Sequence, residues 1–367
     1  MTDKDYMQRA LILAKKGMGF VNPNPMVGAV IVKDGRMIGE GYHQRYGELH
    51  AERNAFANCT EDCTGAVLYV TLEPCCHHGK TPPCTEAIIE HHISRVVIGS
   101  SDPNPLVAGK GVQILREHGI EVVEGVMKKE CDELNEIFMH YITTKLPFVT
   151  MKYAMTTDGK IAAYTGDSKW ITSEETRIYA QRDRLRHSAI MAGIGTVLAD
   201  DPMLTCRLEN ARNPIRIICD SGLKIPLDSH IVQTAKEIPT IIAACRDDSG
   251  SAKELEKHGC RIIMTKPDNG HTDLRELTEI LGSEKIDSIL LEGGAALNWS
   301  ALKSGIVSKV KTYIAPKIFG GAAAKSPVSG TGVASPDDAF MLKDSTVKQI
   351  GNDILIESRV ADVYGNR

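Results

Sequence analysis

His50-Ala51-Glu52, and downstream of it Thr71-Leu72-Glu73-Pro74-Cys75-Cys76-His77-His78-Gly79-Lys80-Thr81-Pro82-Pro83-Cys84, form the stretch on which the reading of this chain turns. Residues 50–58 have helical patterning, Ala66 to Thr71 is a short apolar β run ending at Leu72-Glu73-Pro74, and Cys84 to His91 continues as a second helix. Helix, strand and helix in succession are the alternation of an α/β domain.

Outward from this stretch the alternation continues. Tyr6 to Gly17 reads as an amphipathic helix with a glycine at its end, and the turn-rich Asn22-Pro23-Asn24-Pro25 follows. Met26 to Val32 and Arg36 to Glu40 form two strands around Lys33-Asp34-Gly35, whose Asp-Gly pair is a hairpin signal. Arg95 to Ser100 and Ile120 to Glu124 are further strands, with Gly111 to His118 helical between them. The expectation is a mixed or parallel sheet covered by helices, a three-layer α/β domain.

The pattern restarts near Thr144-Lys145-Leu146-Pro147. Phe148 to Ala154 reads as an edge or first strand, and the domain boundary is placed near 145, giving domains 1–145 and 146–367. Apolar strands follow at Ala189–Gly193, Ile215–Asp220, Thr240–Ala244, Arg261–Met264, Ile289–Glu292 and Lys309–Ile314, interleaved with helical stretches such as Glu174–His187 and Thr272–Leu281. A second α/β domain is expected from them.

The 367 residues suit two domains, and 42% hydrophobic with 25% charged residues is the composition of a globular enzyme. A net charge of −4, with no Lys/Arg run longer than a pair, argues against nucleic-acid binding. No stretch approaches 18 apolar residues. No membrane association is expected, and without a basic, apolar leader the location expected is the cytoplasm. Ten scattered cysteines then read as reduced thiols.

Catalytic zinc takes three protein ligands and leaves its fourth position to water. His50, Cys75 and Cys84 are such a triple, and Glu52, two residues beyond the histidine at a helix start, can move protons beside the metal without ligating it. This equipment suits hydrolytic deamination. A closed structural zinc site remains open as an alternative, with Cys76, His77 or His78 as a fourth ligand. Cys76 reads as packing, and Cys59 and Cys63, four residues apart, read as a helix end or loop or, less directly, as metal ligands.

His50-Ala51-Glu52 with Pro74-Cys75 and Cys84 resembles the cytidine/deoxycytidylate deaminase superfamily, with eight residues between the cysteines where Pro-Cys-x-x-Cys is usual. The string from Thr71 to Cys84, with Asn22-Pro23-Asn24-Pro25-Met26-Val27-Gly28 before it and Asp102-Pro103-Asn104-Pro105-Leu106-Val107-Ala108-Gly109-Lys110-Gly111 after it, resembles the bifunctional deaminase–reductases of riboflavin biosynthesis. The resemblance runs from about residue 3 to 355; Cys76, where serine is more usual, departs from it. It implies a zinc-dependent deaminase acting on 2,5-diamino-6-ribosylamino-4(3H)-pyrimidinone 5′-phosphate, with Asn24, His43, His77, Lys80 and Asn104 holding pyrimidine and phosphate. From the residues alone, Lys80 is equally a solvated loop lysine, and Asn24 and Asn104, each between prolines, are equally turn formers.

In the second half, Lys152-Tyr153-Ala154-Met155-Thr156-Thr157-Asp158-Gly159 runs toward Gly166-Asp167-Ser168-Lys169-Trp170-Ile171-Thr172, and Thr172-Ser173-Glu174-Glu175 reads as a capping box. Ser288 to Leu297 is a buried strand running into Gly293-Gly294 and a helix, which is either a tight turn or a phosphate-approaching loop. The resemblance implies a dihydrofolate-reductase-like domain that binds NADPH. Ala154, Trp170, Thr196, Asp200 and Gly293, Gly294, Ala295, Ala296 and Leu297 would meet the cofactor. Ser168, Arg184, Leu204, Arg207 and Glu292 would meet the substrate, with Arg184 and Arg207 as phosphate clamps, though from the residues alone each is equally an ordinary surface arginine. The implied reaction is hydride transfer to C1′ of the ring-opened ribosyl group. Lys152 and Asp200 are the polar candidates for proton transfer. The resemblance also implies a homo-oligomer.

Two other functions fit the sequence less fully. One is a deaminase of free nucleotides or tRNA with a binding C-terminal half; the other is a zinc-stabilised binding module without catalysis.

Overall fold

The structure is a computed structural model, and it describes residues 1–78, 82–248 and 250–363. The chain divides into two compact units, Met1–Lys145 and Leu146–Arg367.

The first unit holds strands β1 (Gly28–Lys33), β2 (Arg36–Tyr42), β3 (Val67–Leu72), β4 (Arg95–Ser100) and β5 (Glu121–Glu124) in the order β2-β1-β3-β4-β5. β1 is antiparallel to β2 and β3, while β3, β4 and β5 run parallel, so the sheet is mixed. Around it lie α1 (Asp3–Ala14), α2 (Ala51–Ala57), α3 (Cys84–Glu90), α4 (Lys110–Glu117), α5 (Lys128–Leu134) and α6 (Glu136–Thr144). Alternation along β1 builds the three layers. Ala29 and Ile31 face a core completed by Ala55 of α2, Ile88 of α3 and Leu115 of α4, whereas Val30 and Val32 face Leu11 of α1 and Leu134 of α5. At Gly41 a Cβ would stand 2.3 Å from the Ala55 nitrogen. Only a glycine there lets α2, which begins beside His50, lie flat on β2.

The second unit contains a nine-stranded sheet built from β6 (Phe148–Thr156), β7 (Ala189–Gly193), β8 (Ile215–Cys219), β9 (Thr240–Ala244), β10 (Arg261–Met264), β13 (Ser288–Leu291), β14 (Val307–Ala315), β15 (Leu342–Ile350) and β16 (Asp353–Val360). A separate two-residue pair is made by β11 (Pro267–Asp268) and β12 (His271–Thr272). The order is β10-β9-β8-β7-β13-β6-β14-β16-β15, parallel except where β16 joins β14 and β15. The helices are α7 (Glu174–Arg186), α8 (Ile194–Asp200), α9 (His230–Gln233), α10 (Ala252–Lys257), α11 (Leu274–Ser283) and α12 (Ala295–Lys303). Along β7, Ala189 and Met191 face the α11–α12 layer, and Ile190 and Ala192 face the layer containing α9 and α10.

Two local expectations are corrected. β6 is an interior strand, paired in parallel with β13 and β14 on its two sides. Its polar C-terminal half looked like an edge because Lys152 faces a cavity. The cap of α7 is Ser173 alone: its hydroxyl accepts from Thr176 N at 3.3 Å, and N3 is a threonine rather than a glutamate. Asp353, 180 residues away, takes the reciprocal place by accepting from Ser173 N at 2.8 Å. The β15–β16 hairpin and helices α5 and α6 carry weak periodic signals, and β15 is exposed at eight of its nine positions.

Candidate active sites

In the first unit, His50 precedes α2, Cys75 follows β3, and Cys84 opens α3. Their donor atoms all lie within 4.8 Å of one another. His50 Nδ1 stands 3.4 Å from Cys75 Sγ and 3.5 Å from Cys84 Sγ. Donors at zinc–nitrogen and zinc–sulfur distances on a tetrahedron are roughly 3.5 Å apart, so this donor set fits zinc. The amide of Cys84 donates to Cys75 Sγ at 3.4 Å, which stabilises the thiolate.

Glu52, on the first turn of α2, is only 3% exposed. Burial first, and the neighbouring Cys75 sulfur second, push its carboxyl above the usual carboxylate range. Both His50 and Glu52 border a cavity of about 310 Å³, which Asn24, His43, His77 and Asn104 also line. His43 Nδ1 donates to Leu49 O at 3.0 Å, and its Nε2 accepts from Asn24 Nδ2 at 3.2 Å. Burial lowers its pKa, which favours the neutral ring. The Nδ1 of His77 is buried without a hydrogen-bond partner. Asn104 keeps its turn-forming role as well, because its Oδ1 accepts from Leu106 N at 3.2 Å. Lys80 lies outside the described residues.

Sequence reasoning missed two carboxylates of this cavity. Glu73 accepts four backbone N–H groups, from Asp102, Gly109, Gly111 and Val112, and so fixes the loop that carries Asn104. Asp102 is 8% exposed; burial, outweighing the Asn104 amide that it accepts from, pushes it up to about 6. Both lie inside strings quoted above, each directly before a proline; their sign would have been a carboxylate in a turn with backbone donors to satisfy.

In the second unit a cavity of about 190 Å³ gathers Ala154, Ser168, Trp170, Arg184, Arg207 and Glu292. Arg184 donates to Glu292 through Nε at 3.1 Å and through its second terminal nitrogen at 2.8 Å, and its remaining terminal nitrogen donates to Thr205 O at 2.7 Å. Its fork is thus committed to a carboxylate, while Arg177 and Arg207 also line the cavity. Glu292 is held down to about 2: burial opposes ionisation, but the Arg184 and Lys152 cations outweigh it.

Other lining residues carry no motif. Lys152 Nζ is 3.7 Å from Glu292 and 5.7 Å from the centre of the Tyr313 ring. The Tyr313 hydroxyl donates to buried Asp183 at 2.8 Å, and Lys311 donates to the other oxygen of that carboxylate at 2.6 Å. Arg177 stacks its guanidinium 4.5 Å above the half-exposed Trp170 ring and donates to Thr172 O at 2.8 Å. Since Arg177, Gln181 and Arg184 follow helical spacing, one face of α7 forms this wall.

Several of the expected residues do not line this cavity. Leu204 is buried in the core with Ile190 and Leu223, and Asp200 is exposed at the end of α8. Thr196 instead meets the glycine loop, where a Cβ on Gly294 would stand 3.4 Å from its Oγ1. A Cβ on Gly293 would stand 3.4 Å from the Gly193 nitrogen. Two parallel strands therefore end together in bare backbone at the start of α12, a cradle that fits a dinucleotide phosphate and leaves Ala295, Ala296 and Leu297 on the first helical turn.

Comparison with known proteins agrees with both halves. The cytidine and deoxycytidylate deaminase zinc-binding region matches residues 1–100, and the RibD C-terminal domain matches residues 147–356. The riboflavin biosynthesis protein RibD of Actinobacillus pleuropneumoniae is 56% identical over 97% of this chain and 95% of its own. A Thermotoga maritima structure, described as a diaminohydroxyphosphoribosylaminopyrimidine deaminase/5-amino-6-(5-phosphoribosylamino)uracil reductase, has a TM-score of 0.86 at 41% identity, covering 98% of this chain and 99% of that one. Acinetobacter baumannii RibD, form 1, has a TM-score of 0.87 at 36% identity over the same shares.

Proposed function

Because this chain belongs to the RibD family of bifunctional riboflavin-biosynthesis enzymes, a deaminase domain followed by a dihydrofolate-reductase-like reductase domain, we propose that it performs two consecutive reactions on one phosphoribosyl pyrimidine. The first removes the 2-amino group of 2,5-diamino-6-ribosylamino-4(3H)-pyrimidinone 5′-phosphate as ammonia. The second reduces the ribosyl side chain with NADPH to give 5-amino-6-(5-phosphoribitylamino)uracil. The observation that carries this reading is the convergence of His50, Cys75 and Cys84 beside buried Glu52 at a cavity large enough for a pyrimidine nucleotide.

Zinc held by that triple would supply the Lewis acidity that makes water nucleophilic near neutral pH. Glu52 takes the proton of the attacking water and delivers it to the departing amine nitrogen, and its raised pKa suits a group that must both accept and donate. His43 and Asn24, locked to each other, and His77, with an open Nδ1, present hydrogen-bonding edges to the ring.

NADPH, when bound against the glycine cradle, would supply the hydride. Ring opening of the ribosylamine leaves C1′ as an electrophilic imine carbon, and hydride addition there needs one proton at the adjacent nitrogen. Lys152, held between ionised Glu292 and the Tyr313 face, is the cation positioned to donate it. Arg207 and Ser168, which line the same cavity, receive the phosphate in this reading. No described helix is long and apolar enough to cross a membrane. A cytoplasmic location and a homo-oligomer complete the reading, the latter in accord with the exposed edge strand β15.

Incubating the zinc-loaded protein with the diamino nucleotide, with and without NADPH, tests the reading. Ammonia release without NADPH, followed by NADPH oxidation equal to the ammonia released, is expected. Ammonia release with no NADPH oxidation would remove the reductase assignment.

A further inference from the structure

Cys59 and Cys63 take no part in the proposed chemistry, yet their sulfurs lie 2.9 Å apart. That is well inside an ordinary non-bonded contact and less than 1 Å from the S–S bond length of about 2.05 Å. Cys59 follows the C-terminal end of α2, the helix whose first turn carries Glu52, and Cys63 lies in the loop that leads into β3. We propose that the Cys59–Cys63 pair is a reversible thiol–disulfide site, distinct from the zinc ligands, that staples the end of α2 to this loop.

The surroundings decide which side moves on oxidation. Cys59 rests on bare backbone of β2, where a Cβ on Gly39 would stand 2.6 Å from its sulfur and equally close to Ala55 O. The helix end is therefore wedged. The loop is exposed at Thr60, Glu61, Asp62 and Thr64 and is held by surface contacts, Thr60 N and Oγ1 to Ile38 O and Lys33 Nζ to Asp62 O, while the Cys63 side chain packs into the core. The remaining approach of the two sulfurs falls to the loop, and His50 and Glu52 stay where they are at the other end of the helix.

The oxidant is a small disulfide. One protein thiol, as its thiolate, attacks a sulfur of the oxidant and expels one thiolate, leaving a mixed disulfide. The second protein thiol then displaces the other half, and the two protons lost by the protein reside on the two released thiols. Two electrons pass from the cysteine pair to the oxidant. Burial and the neighbouring sulfur push the Cys59 thiol up to about 12, so its own attacking thiolate is scarce at neutral pH.

The test uses the full zinc-loaded chain equilibrated in glutathione disulfide and glutathione, alkylated, and cleaved before Asp62, between the two cysteines. The fragments on either side of the cut are expected to remain joined until reduced, to separate in Cys59→Ser and in Cys63→Ser, and to come from protein with unchanged ammonia release and zinc content. Recovery of both cysteines alkylated, or each carrying its own glutathione, at the oxidised end of the series would overturn the proposal. So would a join that persists in Cys59→Ser, which would place the bond elsewhere. Ammonia release that collapses while zinc is retained would overturn the claim that the loop, and not the helix, moves.

Discussion

The two cavities are built on different logics. In the first unit the reacting groups lie within two short strings, and their identities follow from what a soft metal accepts. In the second, Lys152, Arg177, Arg184, Glu292 and Tyr313 come from β6, α7, the end of β13 and β14, and charge compensation among them shapes the site. Arg184 and Glu292 are 108 residues apart in sequence. A metal site advertises itself by residue type and spacing. A site made of hydrogen bonds and ion pairs uses residues that are everywhere else ordinary.

Substitutions can break this comparison at either end. Glu52→Gln should cost on the order of 10³-fold in ammonia release, the scale of a lost general acid–base, while metal analysis finds zinc retained and NADPH oxidation with the deaminated nucleotide continues. A matching loss of reductase turnover would mean the two sites are not separable. Lys152→Met should lower NADPH oxidation by about 10²-fold through loss of the proton donor and leave ammonia release alone; unchanged oxidation in stopped-flow would send the search to another donor.

The third expectation concerns the packing behind the second cavity. His187 is buried, donates from Nδ1 to Asp183 O at 2.7 Å and accepts from the Thr150 hydroxyl at 2.8 Å, and burial holds it down to about 4. Its folded pKa lies below the unfolded value, so the unfolded chain binds the proton more readily. The stability it supports is complete above about pH 6.5 and is lost as pH falls toward 4, by up to about 3 kcal/mol. Denaturant melts across that window should show the loss in the second unit, and His187→Gln should flatten it. The smallest effect concerns the proposed cofactor wall. Removing the stacked cation in Arg177→Met should weaken NADPH binding about two- to five-fold, the worth of a half-exposed cation–π contact. Quenching of Trp170 emission by NADPH reads this directly, and an identical titration in the variant would reduce Arg177 to a surface residue.

Much of the first unit was legible because its signals are short-ranged. The Asp34-Gly35 hairpin, the amphipathic α1 and the His50–Glu52 and Cys75–Cys84 spacings each act within a few residues. Arg184 illustrates the opposite case: as a residue type it suggests a phosphate clamp, and only its partner shows the fork already filled. Glu73 reads as an ordinary acid until the four amides converging on it are seen.

Periodicity and metal preference are properties of residues and their spacing, so the α/β class, the expectation of two domains, and a candidate zinc-binding triple with a glutamate beside it were readable from the sequence alone. Tertiary structure alone decided that β6 lies inside its sheet, that Asp353 completes the cap of α7, that Lys152 stands between Glu292 and Tyr313, and that Cys59 meets Cys63. The first three depend on which distant strands pair and which charges lose their water together, and the fourth on how a local loop packs; none of these is written in the local pattern of the chain.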